Sequence, residues 1–231
     1  MRSIWRFLGW GLAGLLLAFV VVQLWYLLHI AYWTRFDPQR TSFMDARLAS
    51  LRARDPKSEL TQRWIDYGRI SVHLKRAVIA AEDAKFIDHE GFDWEGIQRA
   101  LERNQRRGKV VAGGSTISQQ LAKNLFLSGE RSVLRKGQEA LITIMLEAVM
   151  GKRRILEIYL NVAEWGEGVF GAEAAARHHF GTNAAALTPW QAARLAAMLP
   201  RPRYYDRNRS TRYLEQYTER ILARMPSAQV P

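Results

Sequence analysis

The N-terminal part of the chain is a long hydrophobic stretch, in which residues 7–34 include no Asp, Glu, Lys or Arg. A helix that crosses a membrane needs about 20 predominantly apolar residues, so this stretch is long enough to span a bilayer. Aromatic residues of the kind that favour membrane interfaces flank both ends: Trp5, Trp10, Trp25, Tyr26, Tyr32 and Trp33. The pattern predicts a transmembrane helix over residues 7–34.

A cleaved signal peptide is the alternative interpretation, but its apolar region would be only about 7–15 residues long. No convincing Ala-x-Ala cleavage motif is present, so a retained anchor is predicted. Its orientation stays open, because arginines lie on both sides: Arg2 and Arg6 before it, then Arg35, Arg40, Arg47, Arg52 and Arg54 after it. These counts favour a cytoplasmic C-terminal side, but large domains cross the membrane regardless of nearby charge.

Beyond residue 66, apolar residues recur at helical spacing almost to the C-terminus. The first apolar stripe comprises Leu74, Ala77, Val78 and Ala81. Gly91 is predicted to end the helix that includes this stripe. Further helices are predicted near residues 97–107, 116–127, 132–150, 152–163, 169–179, 188–199 and 210–225. Convincing alternating strands are absent, although residues 110–112 could pair briefly, and residues 35–66 have a mixed pattern. The sequence predicts a mainly α-helical domain behind one membrane helix.

The formal net charge of +12 adds an expected attraction to anionic partners. Nucleic acid, an anionic membrane surface and a phosphorylated lipid all satisfy that expectation. The chain has no cysteine, which excludes disulfide bonds and removes the commonest zinc ligand. No cluster of metal ligands is visible in the sequence, so no metal site is predicted.

Ionisable residues are concentrated directly after the first apolar stripe, in residues 80–93. Glu82, Asp83 and His89 are the candidates there for acid–base chemistry or for binding a polar ligand. A simpler interpretation is a helix whose solvated face begins at this point and continues into a polar loop. His89 in particular is of a residue type that more often makes structural hydrogen bonds.

Residues 113–124 are more informative, because two glycines lead into a helix start at which Thr116 and Gln119 fit a capping box. Thr116, Gln120 and Lys123 then share one helix face. Free amides, hydroxyls and a lysine at a helix N-terminus suit an anionic oxygen ligand. An ordinary capped helix with a solvated polar stripe is the alternative. The glycine-rich phosphate-binding pattern of nucleotide hydrolases is absent.

The helix predicted over residues 132–150 is almost entirely apolar after its first turn, which predicts that it is buried. Glu139 and Glu147 lie on one of its faces, and a buried carboxylate needs a cationic or hydrogen-bonding partner. A structural ion pair with Arg or Lys is predicted for Glu147. Helix packing is expected to place Glu139 beside the cations Lys123, Arg131, Arg135 and Lys136.

These segments resemble the family 51 glycosyltransferases, specifically the monofunctional biosynthetic peptidoglycan transglycosylases. The resemblance covers roughly residues 74–200 and comprises five motifs in order. The motifs are Glu82-Asp83-x-x-Phe86-x-x-His89-x-Gly91, Gly114-Ser115-Thr116-Ile117-x-Gln119-Gln120-Leu121-x-Lys123-Asn124, Arg135-Lys136-x-x-Glu139, Lys152-x-x-Ile155-Leu156-Glu157-x-Tyr159-Leu160-Asn161, and Gly168-x-x-Gly171-x-x-x-Ala175-Ala176-x-x-x-Phe180. One departure is His179, where the family usually has Tyr.

The resemblance implies a mainly α-helical, lysozyme-like head with a smaller membrane-proximal jaw. It implies that Glu82 is the general base and Glu139 the second essential carboxylate. The implied substrate is lipid II, whose acceptor 4-hydroxyl attacks the donor anomeric carbon with inversion and releases polyprenyl pyrophosphate. Residues expected to bind this substrate are Asp83, Phe86, His89, Gly114, Ser115, Thr116, Gln119, Gln120, Lys123, Asn124, Arg131, Arg135 and Lys136.

The resemblance also implies a location and partners. Residues 1–6 are expected as a cytoplasmic tail, 7–34 as the anchor, 35–66 as a juxtamembrane segment, 67–226 as the glycosyltransferase domain and 227–231 as a tail. The protein is expected to cross the bacterial inner membrane once, with this domain on the periplasmic side. Expected partners are lipid II, the growing glycan strand, the membrane and other cell-wall synthesis proteins, but not nucleic acid. No cofactor is expected to be required, Mg²⁺ or Mn²⁺ is expected to stimulate the reaction, and no transpeptidase activity is expected.

Two other functions compete with this interpretation. A membrane-bound wall hydrolase would also use paired carboxylates on a lysozyme-like fold. That reaction has no pyrophosphate leaving group, so it leaves the cationic face around Lys123 unexplained. A non-enzymatic basic scaffold or nucleic-acid binder would bind in a strongly salt-dependent way and would not need Glu82.

Overall fold

The computed structural model describes residues 2–109, 113–127 and 132–231, most of which are α-helical. The helices are α1 (Arg2–Trp33), α2 (Ser42–Arg52), α3 (Val72–Glu82), α4 (Trp94–Arg107), α5 (Ile117–Phe126), α6 (Val133–Val149), α7 (Lys152–Val162), α8 (Ala172–Phe180), α9 (Pro189–Met198), α10 (Pro202–Arg207) and α11 (Arg212–Arg224). Strands β1 (Thr61–Gln62), β2 (Glu164–Gly166) and β3 (Val169–Phe170) form a small sheet. The predicted mainly α-helical fold is confirmed.

Helix α1 contains the predicted membrane span. Its segment Phe7–Trp33 is long and apolar enough to cross a membrane, and most of its side chains are not covered by protein. Its C-terminal end docks on the helical domain, where Ile30 is fully buried. There the ring of Phe126 in α5 lies 5.0 Å from that of Tyr26 and 5.1 Å from that of Trp33. The prediction of one N-terminal helix suited to a membrane is confirmed.

The core of the domain is built around α3, which packs against α9 and α11. Leu74 and Val78 on the predicted stripe of α3 are fully buried. The prediction that this helix stops at Gly91 was wrong, because α3 ends at Glu82. The backbone of Asp83 leaves the helical conformation, with φ −160° and ψ 74°, and its side chain turns towards the start of α5.

Helix α6 shows that an apolar helix need not be buried on every side. Its inner face is buried at Ile142 and Leu146, but Leu134 is 87% exposed and Ile144 is 54% exposed. The prediction that α6 is buried was therefore wrong for its outer face. That face adjoins the membrane helix, since the amides of Gln138 and Gln23 exchange hydrogen bonds of 3.1 and 2.9 Å. Apolar composition alone does not distinguish contact with a protein core from contact with lipid.

The remaining predicted helices agree with α4, α5, α7, α9 and α11 to within three residues at each end. The helix predicted over 169–179 starts late, at Ala172, because Val169 and Phe170 form β3 instead. Gly171 separates the two elements with φ +83°, and a Cβ there would lie 2.7 Å from the carbonyl oxygen of Asn161. This position therefore requires glycine.

Three features were missed from the sequence: α2, α10 and the small sheet. Strand β1 pairs in parallel with β3, and β2 pairs antiparallel with it. The three strands have only two or three residues each, which is too short for an alternating pattern to be recognised. The sheet joins the segment after α2 to the turn that precedes α8. Residues 110–112, which could have paired as a strand, lie outside the described residues.

Candidate active site

Three helices bring together the side chains around Glu82, the last residue of α3. Its Oε2 accepts a hydrogen bond of 2.7 Å from Nε2 of Gln120 on α5. Oε1 of Gln120 in turn accepts a hydrogen bond of 2.9 Å from the hydroxyl of Tyr159 on α7. The amide of Gln120 is thereby held in one orientation, with its NH₂ group directed at the carboxylate.

The surroundings of Glu82 favour a carboxylate that takes up a proton. Burial raises the pKa of Glu82, while the hydrogen bond from Gln120 and the charge of Lys123 lower it and the charge of Asp83 raises it. The net shift is upward, which makes the ionised group a stronger base. Burial, and then the charges of Glu82 and Asp83, raise the pKa of Tyr159 well above its usual value. The Tyr159 hydroxyl therefore stays protonated and remains a donor to Gln120.

The loop after Glu82 is fixed by a framework cluster made of Asp83, His89 and Thr116. Asp83 Oδ2 accepts a hydrogen bond of 3.0 Å from the backbone N–H of Ile117, and Asp83 Oδ1 lies 2.9 Å from His89 Nε2. His89 Nδ1 accepts from the N–H of Gly91 at 3.1 Å, so the proton of a neutral ring is on Nε2 and is donated to Asp83. The Thr116 hydroxyl donates to the Gly91 carbonyl at 2.7 Å. These bonds tie the loop to the N-terminus of α5.

Two other predicted substrate-binding residues also lie inside the protein. Phe86 is fully buried beneath the Lys152 ammonium, which lies 4.7 Å from the centre of its ring. Gln119 is 4% exposed and completes the predicted capping box, since its Oε1 accepts from the N–H of Thr116 at 3.0 Å. Contact of these residues with substrate stays a prediction. Their observed contacts support the shape of the loop and of the α5 start.

Beside Gln120 opens a cationic cleft of about 710 Å³. Its polar wall also includes Asn124 and Tyr159. Six cationic side chains line it, from α2, α5, α6 and the α10 region: Arg47, Lys123, Arg135, Arg201, Arg203 and Arg207. Such a wall is suited to a ligand that carries several negative charges.

Lys123 is the cation of this cleft that lies closest in the chain to Gln120. Burial lowers its pKa, and Arg135 and Lys136 lower it further, whereas Glu139 and Glu82 raise it. Within the part of the chain that the structure describes, its ammonium forms no ion pair. An ammonium that is partly desolvated and not paired gains most from an anionic ligand.

Glu139 and Glu147 share a face of α6 but have separate partners. Glu139 is 3% exposed, and its carboxylate pairs with Arg135 at 3.1 Å and with Lys136. Glu147 pairs with Lys152 at 2.7 Å, so the structural ion pair predicted for it is confirmed. Glu139 is thus paired with two of the four cations expected beside it, of which Arg135 lines the cleft, whereas Glu147 stabilises the packing of α6 against α7.

The other predicted positions lie at the edge of this arrangement. Gly114 precedes α5 and passes close to α4, since a Cβ there would be 3.0 Å from the Cα of Ile97. Ser115 and Lys136 are exposed, and Asn124 is 7% exposed. Arg131 lies outside the described residues.

Sequence reasoning missed the far wall of the cleft. Arg47 of α2 and Glu164 of β2 form a buried pair, with Nε to Oε1 at 2.8 Å and Nη2 to Oε2 at 3.2 Å. Burial raises the pKa of Glu164, and the charges of Arg47 and Arg203 lower it. A signal was present, because four arginines occur within residues 201–209, a segment that no predicted helix included.

Comparison with known proteins identifies the family of this chain. The transglycosylase family model matches residues 49–226. The biosynthetic peptidoglycan transglycosylase of Dechloromonas aromatica (strain RCB) is 61% identical over 231 residues, which cover 100% of both chains. That of Laribacter hongkongensis (strain HLHK9) is 60% identical over 96% of this chain and 97% of its own, and that of Aromatoleum aromaticum (strain DSM 19018 / LMG 30748 / EbN1) is 58% identical over 100% of both. Because the family model covers most of the chain and the relatives match it nearly end to end, this chain belongs to the peptidoglycan transglycosylase family of glycosyltransferases.

Proposed function

We propose that this protein polymerises lipid II into linear glycan strands and that Glu82 is the general base. The observation that carries the proposal is the position of Glu82, a carboxylate with a raised pKa held by Gln120 at the edge of the cationic cleft. Glycosyl transfer from a pyrophosphate donor requires a base for the acceptor hydroxyl and an anion-binding cleft for the leaving group. The side chain of Gln120 connects the two, because it contacts Glu82 and lines the cleft. The names of the relatives, biosynthetic peptidoglycan transglycosylases, support the same substrate class.

In the proposed reaction Glu82 accepts the proton of the acceptor 4-hydroxyl while that oxygen bonds to the anomeric carbon of the donor chain. The bond from this carbon to the pyrophosphate oxygen breaks on the opposite face, which inverts the anomeric configuration. The electron pair leaves with the polyprenyl pyrophosphate, whose added negative charge is stabilised by Lys123 and Arg135 in the cleft. Positioned donors of this kind typically contribute more than proton transfer does.

Glu139 is proposed to hold the cations rather than to exchange protons with substrate. Its two oxygens are already engaged by Arg135 and Lys136, and it is almost completely buried. Fixing the guanidinium of Arg135 before substrate arrives reduces the reorganisation needed when charge develops on the leaving group. The predicted second essential carboxylate would thus act through its neighbours.

The proposed location is the cytoplasmic membrane, with the catalytic domain on its outer side, where glycan is assembled. Support comes from the apolar helix α1 and from the exposed outer face of α6 beside it, which includes Leu134 and Ile144. A tether and a lipid-facing surface on the same side would hold the cleft near a substrate confined to the bilayer. Tethering raises the effective concentration of such a substrate. Other cell-wall synthesis proteins remain proposed partners.

The family resemblance implies that Mg²⁺ or Mn²⁺ stimulates the reaction, but the described residues around the cleft do not form a ligand set suited to these ions. These ions prefer several carboxylate or carbonyl oxygens, whereas the carboxylates of Glu139 and Glu164 are occupied by cationic side chains. No step of the proposed reaction therefore involves a metal ion.

We also propose that the activity is polymerisation without cross-linking, since full-length matches are named for transglycosylation alone.

The test uses the full-length protein in detergent with fluorescent lipid II, and products are separated on a gel. The parent is expected to give a ladder that lysozyme digests, and Glu82→Gln is expected to lower the rate about 10²–10⁴-fold. Glu90→Gln, a change at an exposed glutamate of the same loop, is the matched control. Full activity of Glu82→Gln would refute the assigned base. Release of small products from polymeric glycan, without a ladder, would instead establish a hydrolase.

A further inference from the structure

A group of possible metal ligands lies outside the residues that line the cleft. His178 and His179 are in the last turn of α8, and Asp206 is near the end of α10. One ligand atom of each residue lies within 4.8 Å of the others. Asp206 is 27 residues or more from both histidines in sequence, so only the packing of α10 and α8 against the same strand, β2, brings the group together.

Neighbouring backbone groups orient two of these side chains. His179 Nε2 lies 2.9 Å from the carbonyl oxygen of Trp165, an acceptor, so Nε2 carries a proton and the lone pair is on Nδ1. Asp206 Oδ2 accepts a hydrogen bond of 3.1 Å from the N–H of Glu167, so the other oxygen, Oδ1, is the one that meets the side chains of His178 and Arg209. Histidine ligands of metals commonly donate their second N–H to a carbonyl or carboxylate in this way.

The backbone is also shaped around Asp206. A Cβ on Gly166 would lie only 2.8 Å from Asp206 Oδ2, so a side chain at Gly166 would displace this carboxylate. The carboxylate is therefore held closely against the β2 turn. A ligand held this way loses little further freedom when it binds a cation.

A positive group already lies beside the direct contact of His178 with Asp206. Asp206 Oδ1 is 2.8 Å from His178 Nε2, and Nη2 of Arg209 lies 2.9 Å from that oxygen and 3.4 Å from that nitrogen. The carbonyl end of α8 adds negative potential at the same place. The side chain of Arg209 is 53% exposed, so it can leave without disturbing the core.

We propose that His178, His179 and Asp206 bind a divalent transition metal of the Zn²⁺ class, which replaces the guanidinium of Arg209. Two imidazoles and one carboxylate form a ligand set suited to such ions, and water completes the coordination. Ca²⁺ and Mg²⁺ fit it poorly, because they prefer oxygen ligands.

The metal would act on the shape of the cleft and not on the reacting atoms. It would join the end of α8 to α10, and α10 also includes Arg203 and Arg207 of the cleft wall. A cross-link at Asp206 would restrain Arg203 and Arg207, which lie within three residues of it on the same helix. The predicted consequence is higher stability with metal bound.

The experiment uses full-length protein in detergent, treated with EDTA and then titrated with Zn²⁺ or Co²⁺. Calorimetry and the visible spectrum of Co²⁺ are expected to show one equivalent bound. The unfolding temperature is expected to rise by about 5–10 °C when free metal exceeds the dissociation constant about 100-fold. None of these measurements depends on polymerase activity.

Variants distinguish this site from other histidines. His178→Ala and Asp206→Asn are expected to weaken binding by at least about 10-fold, since loss of second-shell groups alone has that effect. His73→Ala, at a partly exposed histidine of α3, is the control and is expected to leave binding unchanged. Arg209→Ala is expected to bind more tightly than the parent, because the competing guanidinium is gone.

Two results would overturn the proposal. One is the absence of binding in both the parent and Arg209→Ala, which would make the guanidinium the permanent partner of Asp206. The other is binding that His178→Ala and Asp206→Asn leave unchanged. Circular dichroism of each variant shows whether it is folded, and His178 is exposed, so its replacement is not expected to unfold the protein.

Discussion

The framework cluster behind Glu82 and the cationic cleft in front of it are built on opposite principles. Asp83, His89 and Thr116 are largely buried, and their polar atoms are hydrogen-bonded to one another or to nearby backbone.

In the cleft, Arg201 and Arg207 are exposed and Lys123 forms no ion pair among the described residues. One region has satisfied its polar groups within the protein, whereas the other, although Arg47 and Arg135 are paired with glutamates, keeps part of its positive charge available for a ligand. Substitutions are therefore expected to affect stability in the first region and activity in the second.

The largest expected effect after that of Glu82→Gln comes from the cleft. Lys123→Met is expected to lower the polymerisation rate about 10²–10³-fold, because one preorganised donor to the leaving group is lost. Its unfolding temperature is expected to stay equal or rise, since burial already disfavours the charged form of Lys123. Rates on fluorescent lipid II and thermal unfolding of the same sample measure both. Lys85→Met, at a more exposed lysine, serves as control. A marked fall in unfolding temperature would remove the contrast between the two regions.

In the framework cluster the expected effect is on folding. Asp83→Ala removes the acceptor of both the Ile117 N–H and the His89 ring, and hydrogen bonds to a charged group contribute about 1.5–3 kcal/mol each. The free energy of unfolding is expected to fall by at least about 2 kcal/mol, with loss of activity following loss of folded protein. Denaturant titration measures the change. Normal stability with lost activity would instead assign Asp83 to the substrate.

The pH dependence separates the two regions further. Because the pKa of Glu82 is raised above its usual 4.5, the ionised base is lost on acidification at a higher pH than for an ordinary glutamate. Folding disfavours the ionised form, so protonation of Glu82 stabilises the fold while it abolishes activity. Activity and unfolding temperature are to be recorded across the acidic range for the parent and Glu82→Gln. A parent whose activity persists to the pH expected of an exposed glutamate would contradict this environment.

The smallest expected effect lies where the two regions meet. Tyr159→Phe removes the hydroxyl that orients Gln120, which is a loss of about 0.5–1.5 kcal/mol and a rate decrease of roughly 2- to 10-fold. Tyr213→Phe, at an exposed tyrosine of α11, is the matched control. A rate as low as that of Glu82→Gln would mean that Tyr159 takes part directly in the reaction.

Residues close together in the sequence were assigned well without a structure. The capping box of Thr116 and Gln119, the helix it starts and the ion pair of Glu147 all depend on neighbours within one or two turns. The placement of Glu139 among cations followed from Arg135 and Lys136 on the preceding turn of the same helix. Local spacing was sufficient, because helix geometry fixes which side chains meet.

Contacts between distant segments were not recognised. The pair of Arg47 and Glu164 joins residues 117 positions apart, and the ligands His178 and Asp206 are 28 apart. Nothing in either local pattern marks these residues as partners. The outer face of α6 was misassigned for a related reason, since its apolar side chains would have the same spacing against protein or lipid.

By itself the sequence determined the membrane helix, the predominance of α-helix, the motifs around Glu82 and Lys123 and the positive charge, because each depends on composition or on spacing within one element. The tertiary structure decided which motif residues face the cleft and which are bonded to one another behind it. It also decided that α10 completes the cationic wall and that Asp206 meets two histidines. Those outcomes depend on how helices far apart in the chain pack, and packing is set by the combined shape of all the buried side chains.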